Sequence, residues 1–351
     1  MNRLFHNPFF IRLFNWEYWN SNIVYLPLYP YWLLLSIRAR SFFFLTAANP
    51  SIRNGGFIME SKYDVYKLLP ANLYPATYYC KKGMAVDVVI EWMNKQHIHF
   101  PVIAKPDHGE RGLGVKKIYT AEELDAYTAR MPVSFLVQEY VPMENEIGLF
   151  YYRMPDERTG VISGIVNKEP VAIVGDGKHT IAQLAKQNAR YLLQWKQIYK
   201  LYKEHVHSIP HEGEKIVLIP YGNHSRGSKF TDVSYKITET LTATIDNVCR
   251  NIEGFYFGRL DIKFNSWEDL ENGINFSIIE LNGSGSEPTH IYDPSHSILF
   301  AWKEIIRHWN ILFRICKANN KNGTAYLTLQ QGRREVAAFK AIEAQLLSAN
   351  T

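Results

Sequence analysis

Two stretches, Phe255–Phe264 and Ile274–Leu281, concentrate aromatic and β-branched residues as strands do, and a polar turn ending in Asn272-Gly273 separates them as a hairpin. Residues two apart on a strand share a face. Arg259, Asp261 and Lys263 should therefore point one way, and Ile278, Glu280 and Asn282 should share a face on the returning strand. Antiparallel pairing would set Asp261 nearly opposite Glu280. Upstream, 60–69 reads as a short helix leading into an extended YPATYY, and the 3–4 spacing of Val86, Val89, Ile90 and Met93 predicts a helix over 84–97. A strand at Val102–Lys105, a glycine-rich loop and a second strand at Val115–Tyr119 follow. Thr120, with Glu123 at the capping-box position, begins a helix over 120–130, and strands are expected at 135–142 and from Glu146. Gly175-Asp176-Gly177 makes a tight turn, and Thr180 caps a helix over 181–204. Helices near 236–251, 296–318 and 331–348 would cover the sheet, giving an α+β chain.

The first 59 residues differ from the rest: fifteen aromatics and five arginines stand against one acid, Glu17. Residues 31–48 look helical, but Ser36, Arg38, Arg40 and Ser41 interrupt the apolar run, so a spanning helix is not expected. Two readings stand. The aromatics pack on the body of the protein, or residues 1–48 lie in a membrane interface with arginines at headgroup level. The length of 351 residues allows two or three units, and the net charge of +5 suits a nucleotide or an anionic surface without demanding nucleic acid. Cys80, Cys249 and Cys316 have no metal or redox spacing and read as buried thiols in a reducing cytoplasm. The histidines of HIHF and HVHSIPH have no further ligand at metal spacing.

Two chemical features stand out. Asp261 and Glu280 would repel side by side unless a cation sat between them, and with the Asn282 amide they form a hard oxygen cluster suited to Mg²⁺ held with phosphates; the plain alternative is an exposed hairpin with ordinary acids. Lys105 ends a strand before Gly109, Gly112 and Gly114. This loop is neither a Walker loop nor a dinucleotide fingerprint. It reads as a flap over phosphates or as a plain hairpin.

Taken in order, Lys62, Lys105 with its glycine loop, QEYV followed by Glu146, RLD at 259–261 and ELN at 280–282 resemble the ATP-grasp carboxylate–amine ligases. The order and spacing look like the D-alanine–D-alanine ligase branch, whereas VGDGKHTIAQL (174–184) and GEKIVLIPYGNHSRGSKFTDVS (213–234) look more like the ATP-grasp part of cyanophycin synthetase. The resemblance spans about 60–315 and departs at the N-terminal arm, which replaces the domain that usually helps hold the amino-acid substrate. It implies an aromatic and basic segment at 1–60, a lid at 61–138, a larger unit with the metal site at 139–318, and a terminal turn and helix at 319–351. It implies that Lys62 and Lys105 contact ATP phosphates under the Gly109–Gly114 flap. Gln138, Glu139, Tyr140 and Val141 would line the adenine pocket, and Glu146 would bind ribose. Asp261, Glu280 and Asn282 would hold Mg²⁺ or Mn²⁺, and Arg259 would stabilise the transferred phosphoryl group. Arg226, in the loop 222–229, is the candidate for fixing a substrate carboxylate. The implied reaction joins two small amino-acid-like substrates through an acyl phosphate. Phosphoryl transfer without ligation, and an idle nucleotide-binding module at a membrane surface, are the alternatives.

Overall fold

The computed structural model describes residues 7–219 and 222–349; the start of the aromatic arm, with Arg3 and Phe5, and Pro220-Tyr221 of the second motif lie outside the described residues. The arm carries α1 (Pro8–Phe14), α2 (Ser21–Tyr25) and α3 (Tyr29–Ala39). Asn7 and Asn20 begin the first two by accepting backbone N–H bonds. The helix predicted over 31–48 stops at Ala39, because Arg40 turns left-handed (φ 55°) and its N–H bonds back to the last turn.

Next come α4 (Lys62–Tyr66), β1 (Thr77–Cys80), α5 (Val86–Lys95), β2 (Val102–Pro106), β3 (Lys116–Ile118), α6 (Ala121–Arg130) and β4 (Phe135–Glu139). Their strands form an antiparallel sheet in the order β1-β4-β2-β3. One face packs on α5 and α6 through Val89, Met93, Leu124, Ala104 and Val137. The larger unit runs β5 (Asn145–Tyr152), β6 (Val161–Glu169), β7 (Val171–Val174), α7 (Ile181–Gln187), α8 (Ala189–Leu193), α9 (Trp195–Tyr202) and β8 (Lys215–Ile219). It continues through β9 (Lys229–Asp232), α10 (Glu239–Arg250), β10 (Phe257–Phe264), α11 (Trp267–Glu271), β11 (Phe276–Asn282) and α12 (Ile298–Lys321), and α13 (Leu329–Ala349) follows. Its main sheet has the order β11-β10-β5-β6-β9, all antiparallel. The β7–β8 hairpin and α7–α9 make a small annex with its own core of Val171, Ile173, Ile181, Ala185 and Ile198. The single helix predicted over 181–204 is three, because Asn188 turns extended and its side chain caps the restart.

Strand alternation gives the large sheet two different faces. Ile147, Leu149, Leu260 and Ile262 enter a core shared with α10. On the other face Phe150 and Phe257 pack with α12 and the arm, whereas the neighbouring Glu146, Arg259, Asp261 and Lys263 line a cleft. Residues 61–75, assigned by resemblance to the lid, pack instead on the larger unit through Val65, Tyr66 and Leu69, so the small sheet begins in effect at β1. The last helix links the two units. Near its start Glu335 pairs with Arg53, and near its end the buried Leu346 enters the core of the small sheet.

The arm is fastened by one fully buried amide. Asn49 donates to the carbonyls of Gly55 (2.9 Å) and Phe257 (2.8 Å) and accepts from the N–H groups of Tyr256 (2.8 Å) and Phe257 (3.0 Å). All of its hydrogen-bonding positions are used, so removing the side chain orphans several buried backbone groups at once. Asn49→Ala should lower the urea-unfolding free energy by roughly 2–4 kcal/mol; a loss below about 1 kcal/mol would contradict the fastening role.

Candidate functional site

The β10–β11 ladder places Asp261 opposite Glu280 and Arg259 opposite Asn282, the juxtaposition read from the sequence. Two details differ from that reading. Asn272-Gly273 is not a two-residue hairpin turn; it closes the short helix α11, with Gly273 at φ 72°. The register also shifts beyond Asp261, so Ile262 pairs with Ile278 and Ile279 is the extra residue of a bulge. Ile278 consequently turns into the core, while Glu280 and Asn282 line the cleft. The freed Ile279 carbonyl accepts from the Tyr66 hydroxyl and from Lys105 Nζ at 3.3 Å.

Asp261 is almost completely buried, and its carboxylate is neutralised by the protein itself. Arg259 donates from Nε at 2.8 Å and Nη2 at 3.2 Å, and Lys168 Nζ lies 3.0 Å from the same carboxylate. Lys168 also reaches Glu146 at 3.2 Å. Burial alone would raise the Asp261 carboxyl; Arg259 and Lys168 outweigh it and hold the group below the usual range. Lys168 agrees from its side: burial lowers its ammonium, but Asp261 and Glu146 raise it above the ordinary lysine value. The opposing strand leaves room with Gly148, where a Cβ would sit 3.3 Å from both Asp261 Oδ1 and Arg259 Cδ. Lys168 was missed by the sequence reading. Its signal is a lysine in phase with the buried Val166 on a strand.

The small sheet supplies the opposite wall. Lys105 Nζ donates to the Tyr66 hydroxyl at 2.7 Å and to Gln138 Oε1 at 2.8 Å, and burial pushes its ammonium down to about 8. The Gln138 amide is thereby turned to Lys105 and, at its other end, to Thr77. Gln138, Glu139, Tyr140 and Val141 all line the cleft. In the flap Gly109, Gly112 and Gly114 all have positive φ, with Arg111 at 54° between them. Lys62 Nζ donates to the Gly109 carbonyl at 2.6 Å and lies 3.7 Å from Glu280. Arg226 donates to the Gly112 carbonyl at 2.5 Å, so the loop 222–229 touches the flap through it, and Asn223, His224 and Ser225 are the side chains from that loop on the cleft wall.

The arm completes the cleft, which sequence reasoning did not find. Glu17 is buried against Arg190 (2.7 Å) and His224 (3.0 Å). Burial raises its carboxyl, and the bonds from His224 and Arg190 bring it below the usual value. Trp16 stacks on Tyr292, and Tyr25 donates to Glu287 at 2.5 Å. Glu17 was visible only as the one acid in a basic arm. The whole cleft has a volume of ≈690 Å³.

Among the described residues no three His, Cys, Asp or Glu side chains are grouped as a metal site. A divalent cation here would rest on two carboxylates and an amide, the oxygen set that Mg²⁺ accepts when phosphates complete its shell. The Glu280 side chain is a third exposed toward the cleft and is the carboxylate open to a cation, whereas both Asp261 oxygens already accept from Arg259 or Lys168; Asn282 would offer its Oδ1.

Two antiparallel sheets thus enclose one cleft, one bearing a glycine flap and a buried lysine, the other a facing carboxylate pair beside an arginine. The arrangement is similar to that of the ATP-grasp ligases. No family model matches the chain. Over 156 residues it is 27% identical to the glutathione biosynthesis bifunctional protein GshAB from two strains of Streptococcus agalactiae, a match covering 40% of this chain and 21% of that protein. The chain therefore spans about a fifth of the length of the curated relatives it matches. Among solved structures it is similar to the D-alanine–D-alanine ligase of Bacillus anthracis, at TM-score 0.42 and 12% identity over 75% of this chain and 69% of that one. It is also similar to a bifunctional glutathione synthetase from Pasteurella multocida, at TM-score 0.38 and 16% identity over 74% of this chain and 37% of that one.

Lys168 makes the electrostatics testable. Lys168→Met leaves Asp261 and Glu146 without their shared cation, and should cost about 3–5 kcal/mol at neutral pH by urea unfolding. Asp261 has its folded value depressed, so its ion pairs stabilise above the unfolded carboxylate value and fade as pH falls through the folded one. The gap between variant and wild type should therefore be widest near neutrality and narrow in acid. A gap that does not change with pH would show that Lys168 acts by packing alone.

Proposed function

We propose that the chain is an ATP-dependent ligase that joins a carboxylate to an amine through an acyl phosphate. The observation that carries this reading is the convergence of Lys105, the glycine flap, Arg259, Asp261, Glu280 and Asn282 on one cleft from two separate sheets. Lys62 and Lys105 hold the nucleotide phosphates, and the flap's backbone N–H groups close over them. Glu139, Tyr140 and Val141 receive the base and Glu146 the ribose. Arg259 stays charged and faces the same cleft, where it counters negative charge on the transferred phosphoryl group. Glu280 and Asn282, with Asp261, would hold Mg²⁺, which screens the phosphate charge when bound. Arg226 steadies the flap.

The second-substrate pocket lies against the arm and the loop bearing His224. Exposed Arg12, Asn20 and Ser225 line its edge, a cation beside hydrogen-bonding groups, which suits small amino-acid-like substrates. Buried thiols at Cys80, Cys249 and Cys316 fit a reducing compartment. Among the described residues no helix is long and apolar enough to cross a membrane.

The test is a screen of D- and L-amino acids, singly and in pairs, for ATP-dependent phosphate release, with mass spectrometry of the products. Phosphate should appear only with a productive pair, together with an amide. Glu280→Gln should lower turnover by on the order of a hundredfold or more while changing stability by less than about 0.5 kcal/mol, since Glu280 lies at the cleft edge. A stable phosphorylated product without amide would assign phosphoryl transfer instead.

A further inference from the structure

The arm divides its side chains between two environments. Leu35 is fully buried in a core with Phe44 and Phe313, and Trp309 stacks on Tyr25 and meets Trp32 of α3 edge-on. The outer side is different. Ten of the 23 exposed large apolar side chains among the described residues lie between Phe9 and Phe42. On α3, Tyr29, Leu33 and Ile37 recur at four-residue spacing, with Leu34 beside them, Leu26 just before and Phe42 just after, all exposed. Tyr29 to Ile37 is a stripe about 12 Å long.

Cations border this stripe. Arg38 and Arg40 stand at the end of α3, and α12 alongside carries Arg314 and Lys317, all four exposed. The Arg38 guanidinium lies 5.2 Å from the Phe313 ring centroid, and Lys317 Nζ 5.8 Å from the same ring. The two elements meet there with like charges. The arm through residue 59 has one acid, Glu17, and α12 has one, Glu304; both are buried and ion-paired, Glu17 with Arg190 and Glu304 with Arg307.

We propose that this face, Leu26 to Phe42 with Arg314 and Lys317, lies on the surface of an anionic phospholipid bilayer. Apolar and aromatic side chains would enter the acyl boundary, and the arginines and the lysine would meet lipid phosphates. A second copy of the chain is the poorer occupant, since an isologous pair would set the same cations against each other. The surface is narrower than the whole arm, because residues 16–19 are turned to the cleft.

The full chain is mixed with vesicles of phosphatidylcholine alone, and of phosphatidylcholine with phosphatidylglycerol, and bound protein is measured by flotation. The expected result is binding to the anionic vesicles at least about tenfold stronger than to the neutral ones and weakened by salt. Leu33→Ser/Ile37→Ser and, separately, Arg38→Glu/Lys317→Glu should each weaken it about tenfold or more, with circular dichroism and thermal unfolding unchanged. No binding to either vesicle, or equal binding by wild type and both variants, overturns the proposal. So does a dimer, seen by sedimentation velocity, that the Leu33→Ser/Ile37→Ser variant abolishes.

Discussion

The structure depends on a buried charge, Asp261, that the protein has to neutralise before any ligand arrives. An isolated carboxylate removed from water would protonate or unfold its surroundings. Arg259 reaches it along the same strand and Lys168 from β6, and Lys168 passes the charge balance on to Glu146. Three strands of the large sheet are thereby locked at one level. The expectation of two mutually repelling carboxylates gives way to a different picture: Asp261 is compensated from beneath, and Glu280 stands at the cleft edge, 3.7 Å from Lys62. Glu280 is therefore the carboxylate left to respond to a cation and phosphates.

The second constraint is that two sheets must meet across a cleft without filling it. Three of the links that hold them bear on the flap and the bulge. Lys105, on the small sheet, bonds to the Ile279 carbonyl that the bulge in β11 releases. Arg226, on the loop before β9, bonds to the flap. Leu346, at the far end of α13, enters the core of the small sheet, where it would be the nearest atom to a Cβ at Gly109. Two of the three links end on the flap or just beside it, so flap position and closure of the units are coupled. The arm adds a wall to the cleft, and Glu17 anchors that wall through Arg190 and His224.

Much of this was legible in the sequence, and the failures have physical reasons. Arg259, Asp261 and Lys263 alternate so regularly that their common face follows from the pleat, and the facing of Asp261 and Glu280 follows from antiparallel pairing. The bulge was hidden because Ile278 and Ile279 are alike, and either could have been the core residue. The annex helices were merged into one because Asn188 and Gln194 break an amphipathic stretch without a glycine or proline. Lys168 was missed because its partners, Glu146 and Asp261, lie more than twenty residues away on other strands. Arg226 was expected to fix a substrate carboxylate, but long-range packing, which no local pattern shows, directs it to the Gly112 carbonyl of the flap.

The central claim is that the cleft between the two sheets receives a nucleotide whose phosphates contact Lys105. Burial lowers that ammonium to about 8, so near this pH the free protein holds it only partly protonated. A bound polyphosphate favours the charged form and raises the value, which requires proton uptake on binding. The direct measurement is calorimetric titration with Mg²⁺ and a non-hydrolysable ATP analogue near pH 8, in buffers of different ionisation enthalpy, for wild type and Lys105→Ala. The account predicts net proton uptake by the wild type and its loss in the variant. Binding without uptake, or the same uptake in both proteins, would contradict it.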